Sequence, residues 1–160
     1  MIKEILKILE GDAQATPKQI ATMTGIPRAE VAKLIKQAEE ERIILKYQAI
    51  INWEKVGAEQ VWALIEVKVT PQPEVGFDSV AEYISRFPEA HTVYLISGTY
   101  DLFVLAKGKT MHEIGDFVSE RLATIEGVQA TVTHSMLKRY KKDGEILDGG
   151  EEVKRQPVVL

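Results

Sequence analysis

Within residues 16–45, TPKQIATMTGIPRAEVAKLIKQAEEERIIL, four long polar side chains fall on one side of a short helical pattern. Arg28, Lys33, Lys36 and Gln37 stand opposite an apolar stripe of Val31, Leu34, Ile35 and Ala38. Guanidinium, ammonium and amide groups held this way reach phosphates or base edges. Glu30 could accept a hydrogen bond from a cytosine amine or simply repel phosphate. Lys18 in the preceding helix and Lys46 in the wing that follows complete the candidate set for contact with double-stranded DNA. The plainer reading stays open, because any three-helix cluster shows apolar stripes and solvated charges, and fold does not fix function.

Other constellations are weaker. His91, His112 and His134 lie on separate elements without i, i+4 spacing, so no metal site is expected. Glu39-Glu40-Glu41 reads as the solvated end of a helix rather than a catalytic cluster. No Gly-rich phosphate loop follows a strand, and no Ser/His/Asp order stands out, so neither a catalytic residue nor a cofactor is expected. There is no cysteine, which excludes disulfides and thiolate ligands. Lys138-Arg139-Tyr140-Lys141-Lys142 is the densest basic run, read as a solvated strand end that could touch DNA.

The elements that must position these groups fall into two stretches. In a head, residues 1–55, Ile2, Ile5, Leu6 and Leu9 give a first helix ended by Gly11-Asp12. Thr16 caps a second, with Pro17 at its first position and Ile20, Ala21 and Met23 on its buried side. Gly25 takes a positive φ at the corner and Pro27 opens the third helix. Ile43-Ile44-Leu45 and Tyr47 to Asn52 then read as two wing strands with Lys46 near their turn. The expectation is a winged helix-turn-helix.

In a body, residues 60–142, the order is βαββαβ, a ferredoxin-like split βαβ. Val61, Ala63, Ile65, Val67 and Val69 alternate in a first strand, and Phe77 to Phe87 give a helix. His91–Ile96 and Leu102–Ala106 form a hairpin. A second helix runs from a Thr110 cap to Ile125, and a last strand runs from Val128 to Tyr140. One face of such a sheet is left without helices, and the aromatics and aliphatics around Trp62, Tyr94 and Phe103 are placed there. A bare apolar face signals an interface, so a homodimer with sheets packed face to face is expected. Residues 143–160 form a tail, in which Gly149-Gly150 suggests a loop and Val158-Val159-Leu160 a segment that docks or stays loose. The fold class is therefore α+β.

Charge supports pairing. The whole chain carries −4, yet residues 1–55 hold 9 Lys+Arg against 8 Asp+Glu. Phosphate contacts supply most non-specific affinity, so a head this nearly neutral needs paired copies. The acidic, amphipathic N-terminus is unlike a secretory signal, and no apolar run approaches the roughly 20 residues of a membrane span. A cytoplasmic protein without membrane contact is expected.

The run IATMTGIPRAEVAKLIKQAEEERIILKYQAIINWEKVG, Ile20 to Gly57, resembles the head of the Lrp/AsnC (feast/famine) transcription regulators. The matching parts are Ile20-Ala21, Gly25-Ile26, Leu34 to Glu39, Ile43-Ile44 and Asn52 to Gly57. The family often starts its recognition helix with Ser or Thr, where this chain has Pro27, Ala29 and Glu30, and Arg42 replaces a usual glycine. With the body included, the resemblance spans roughly residues 1–142. It implies a sequence-specific, oligomeric DNA-binding regulator, dimeric and assembling further, modulated by an amino acid or related small molecule. Ser97-Gly98-Thr99-Tyr100-Asp101 resembles the family's effector loop, and Val128 to Thr133, with Thr131 and Thr133, resembles the strand bordering the same cleft. Gly98 would let backbone N–H groups face a carboxylate, Ser97 and Thr99 add hydroxyls, and Asp101 would face an ammonium. A plain hairpin turn, with Asp101 bonding its own backbone, is the alternative. The rival function is a small-molecule-sensing or enzymatic ferredoxin-like oligomer whose head mediates assembly.

Overall fold

The structure is a computed structural model, and it describes residues 1–147 apart from Glu59, Gln72 and Val75. The readings at Gly149-Gly150 and Val158–Leu160 lie outside the described residues. Two units, Met1–Ile50 and Ile51–Leu160, separate by their internal packing, and each has its own apolar core.

The head is three helices, α1 (Ile2–Gly11), α2 (Pro17–Thr24) and α3 (Arg28–Glu40). Ile5 and Leu9 project from α1 at i, i+4 onto Ile20 of α2 and Val31 of α3, and Ile26 and Ala15 plug the two corners. Local chemistry fixes the ends. Thr16 Oγ1 accepts from Gln19 N (3.3 Å), while Gln19 Oε1 accepts from Thr16 N (2.8 Å), a reciprocal capping box. Gly25 stops α2 at φ 74°, a left-handed conformation that a Cβ would strain. Met23, expected inside, is 65% exposed. Ile26, beyond the corner, fills the core at that end.

The two wing segments, Ile43–Leu45 and Tyr47–Asn52, follow α3. No ladder joins Ile43–Leu45 to Tyr47–Asn52, and both segments run without strand pairing. Only Lys46 separates them, and the tightest common hairpin loops have two residues. Tyr47 is tied instead to α3, its hydroxyl donating to Glu39 Oε1 at 2.8 Å. Arg42, just past α3, adopts φ 57°, where a glycine would sit without strain.

The body is β1 (Val61–Val69), α4 (Asp78–Ile84), β2 (Ala90–Leu95), β3 (Leu102–Gly108), α5 (Met111–Asp116) and β4 (Val128–Ser135). The helix begun by α5 continues through a wider π turn over Phe117–Leu122. Thr110 caps α5, its Oγ1 accepting from Glu113 N at 3.1 Å. The sheet order is β2-β3-β1-β4, with every neighbour antiparallel. That is the split βαβ arrangement. Ile65, Val67 and Val69 of β1 and Leu102, Val104 and Ala106 of β3 point under the helices, onto Val80, Ile84, Phe117 and Leu122.

The alternate residues form the other face: Leu64 and Glu66 on β1, Phe103 and Leu105 on β3, Tyr94 on β2, Val132 and His134 on β4. No described helix of the body covers them. Trp62 belongs to this face but is not bare, being only 5% exposed. The last strand is shorter than expected and ends at Ser135. After Met136 N donates to Trp62 O (2.9 Å), the chain leaves the ladder and carries Arg139 and Lys142 to the Trp62 ring. A short hairpin, β5 (Lys141–Lys142) and β6 (Glu145–Ile146), then turns at Asp143-Gly144, both at positive φ.

Candidate functional site

In the head, α3 presents the candidate face. Arg28, Lys33 and Lys36 are exposed on the side away from buried Val31 and Ala38. Small Ala29 and Ala32 lie between them, also exposed, so that face is low between the long side chains. A helix of 13 residues is about 20 Å long, and the DNA major groove admits such a helix. Pro27 offers no side-chain cap, so the N-terminal N–H groups of α3 have no side-chain acceptor. Lys18 on α2 and Lys46 beyond α3 are exposed as well. Glu30 is half-buried and sits toward the margin of the helix rather than at the centre of its exposed face.

Counter-charges divide the set. Lys36 pairs with Glu40 at 3.7 Å, on the exposed surface. Lys18, Arg28, Lys33 and Lys46 form no ion pair among the described residues. The three consecutive glutamates at the end of α3 each have a partner: Glu39 accepts from Tyr47, Glu40 faces Lys36, and Glu41 accepts from Gln37 Nε2 at 2.7 Å. Burial and the adjacent Glu39 raise the Tyr47 hydroxyl above its usual 10.0, because both disfavour a second negative charge there.

In the body, residues 97–101 join β2 to β3. Ile96 N donates to Asp101 O (2.8 Å) and closes the loop, and Gly98 adopts φ 137° within it. Ser97 and Thr99 are exposed and Tyr100 is half-buried. Asp101 is already engaged. Its Oδ2 accepts from Val69 N at 2.8 Å and lies 3.3 Å from Lys68 Nζ, and its own N–H donates to Val67 O. The carboxylate thus anchors the loop to the end of β1, a bond to a neighbouring strand rather than to its own turn. Lys68 and Val69 are functional neighbours that sequence alone did not flag, since they lie more than 30 residues from Asp101. Thr131 pairs with Val67 and Thr133 with Ile65, so Thr131 shares the row of the sheet at which the loop is anchored. Thr133 is two positions further along β4 and exposed.

The three histidines are apart. His112 lies 3.5 Å from Asp116, His134 lies 3.0 Å from Glu66, and His91 meets Trp62 edge-on. No group of three metal-ligating side chains forms among the described residues. No described helix is long and apolar enough to cross a membrane.

Comparison with known proteins agrees with this arrangement. A family model described as the Lrp/AsnC ligand binding domain matches residues 62–146, and one described as winged helix-turn-helix DNA-binding matches residues 2–44. The chain is 48% identical over 153 residues to the protein named "Uncharacterized HTH-type transcriptional regulator YugG" of Bacillus subtilis strain 168, covering 95% of this chain and 92% of that one. Among solved structures, the leucine response regulatory protein LrpA of Mycobacterium tuberculosis is similar, with a TM-score of 0.73, 20% identity and coverage of 91% and 97%. So is a feast or famine regulatory protein from M. tuberculosis complexed with L-methionine, with a TM-score of 0.69, 21% identity and coverage of 91% and 95%. At those identities the structures speak to the fold, and the family models and the Bacillus relative to the family. The chain belongs to the Lrp/AsnC family of helix-turn-helix transcription regulators.

Proposed function

We propose that this regulator grips duplex DNA through paired copies of its head, held together by the bare faces of the body sheets. The observation that carries the reading is the exposed face of α3. It holds Arg28 and Lys33 without ion-pair partners among the described residues, on a helix whose first turn has no side-chain cap. Arg28, Lys33 and Lys36 take groove and backbone contacts, Lys18 and Lys46 flank them, and Glu30 tunes the margin. One head, with a net charge near +1, gathers few phosphate contacts, and two gather enough. Leu64, Phe103, Leu105, Tyr94 and Val132 supply the apolar dimer surface. Ile43, Leu45, Ile50 and Ile51, exposed and without strand pairing, offer further apolar edge for higher assembly. The protein works in the cytoplasm.

An amino acid is the proposed effector. The M. tuberculosis relative complexed with L-methionine and the shape of the 97–101 loop support it. Ser97, Thr99 and the backbone about Gly98 would take the carboxylate, with Tyr100, Thr131 and Thr133 bordering the ligand. Asp101 would hold the loop to Lys68 and Val69 or, released from Lys68, meet the ammonium.

Titration of a fragment selected from the organism's genome, at two salt concentrations, tests the DNA reading. Tight binding that weakens steeply with salt is expected; an undetectable response from intact dimer would retire it in favour of a sensor whose head only assembles. Calorimetry with a panel of amino acids tests the effector, and Asp101→Ala should remove the heat. No heat from any of them would end that part of the proposal.

A further inference from the structure

We infer that the covered end of the bare sheet face, around Trp62, is a binding site for a small phosphorylated anion, separate from the amino-acid loop. Trp62 on β1 pairs with Lys107 on β3, so the two side chains stand together on the face away from the helices. The segment after β4 then folds back over the ring. Arg139 Cζ lies 5.0 Å, Lys107 Nζ 5.6 Å and Lys142 Nζ 6.0 Å from the Trp62 centroid. The quadrupole of an indole attracts a cation to its face, but one ring does not neutralise three. Among the described residues none of the three cations has an ion-pair partner. Glu54 lines the adjoining groove without reaching ion-pair distance of any of them.

A groove also adjoins the ring. Trp62 is 95% buried, and its Nε1–H has no acceptor among the described residues. A buried indole N–H normally has one. Trp62 and Arg139 line a groove of about 790 Å³, together with Trp53, Met111 and Met136, within the size range of small-molecule sites. The chemistry that completes this place is an oxyanion with more than one negative charge. It would pair with the Arg139 fork and the two ammonium groups. A phosphoryl or pyrophosphoryl group fits. With Trp62 only 5% exposed, a base would find little ring surface to stack on, so the phosphate is what the site reads. From the Trp62–Lys107 pair to Val67–Leu102, where the effector loop is anchored, is five positions along the ladder, about 17 Å.

The chain has two tryptophans, Trp53 and Trp62, which supplies the experiment. In Trp53→Phe protein the emission of Trp62 is followed during titration with sodium pyrophosphate at low ionic strength. A saturable change is expected, absent when sodium chloride is raised to the same ionic strength. Arg139→Gln and, separately, Lys107→Gln should each weaken it about tenfold, with unchanged circular dichroism. Lys7→Gln, on the exposed side of α1, should leave it unaltered. No saturable change up to about 10 mM, an equal response to chloride, or undiminished binding by both folded variants would overturn the inference. A response to random duplex DNA without one to pyrophosphate would do the same.

Discussion

The head and the body display their working surfaces in opposite ways. In the head, three helices close completely around Ile5, Ile20 and Val31, each fully buried, and what is left for a partner is the charged outside of α3. In the body, one face of the sheet is sealed by α4 and α5 while the other is left with Tyr94 60% exposed beside Phe103 and Leu105. The difference separates two kinds of recognition. A charged face on a closed core can be neutralised by substitution with little cost to the fold. A bare apolar face needs a cover, so in the proposed dimer the partner would be part of the stability of the body. Reading DNA and assembling copies are thus expected to be separable by mutation.

The largest effect should come from a core residue on the sealed side. Phe117→Ala should cost about 3–5 kcal/mol, read by urea denaturation, since Phe117 is 2% exposed beneath the sheet. A loss under about 1 kcal/mol would mean that side is not the packed one. Next comes the bare face. Leu105→Glu should leave the circular dichroism of the body intact and weaken self-association by about 100-fold or more, from burying a charge at the interface, measured by sedimentation; unchanged association would erase the contrast between the faces. On the head, Lys33→Gln should keep the fold within about 0.5 kcal/mol. It should also flatten the salt dependence of DNA binding by about one phosphate per head, or two per dimer. An unchanged slope would take Lys33 off the interface.

Smaller effects sharpen the picture of the head. Thr16→Ala removes the capping box and should cost about 1 kcal/mol. Arg42→Gly relieves the left-handed φ at 57° and should stabilise by up to about 1 kcal/mol. Thermal melts report both, and opposite signs would mean that these helix ends are not as described. Smallest of all is Tyr47. Its raised pKa means the protonated hydroxyl is the stabilising form, so its contribution is full below the usual 10.0 and fades as pH climbs through the raised value. Tyr47→Phe should abolish that part of the alkaline decline in stability. With Tyr47 at 45% exposure, the change is small, and an identical alkaline profile in the variant would remove the Glu39 bond from the account.

What could be read in advance was local. Thr16, Pro17, Gln19 and Gly25 announce the ends of α2, because capping and positive φ involve residues only a few positions apart. The alternation Ile65, Val67, Val69 likewise marks the buried face of β1 without knowledge of its neighbours. Features set by register or distant packing were not legible. Ile43–Leu45 and Tyr47–Asn52 have strand-like composition, but composition does not supply a turn or a pairing partner. Met23 carries the right periodicity for the core, yet Ile26 takes its place. Asp101 reads as a partner for an ammonium or for its own backbone until β1 brings Lys68 and Val69 against it. Trp62 reads as a bare interface aromatic until Arg139, far along the chain, folds onto it. The cations of α3 were legible as a face because helical spacing alone groups them. Which of them meet DNA depends on a partner the chain does not contain.

The most direct test is anisotropy of a labelled genomic fragment titrated in parallel with wild-type protein and Leu105→Glu, at concentrations where sedimentation shows the first dimeric and the second monomeric. Paired heads predict strong, salt-sensitive binding by the wild type and its near-complete loss in the variant, although every α3 cation is still in place. Equal binding by the monomeric variant would contradict the account.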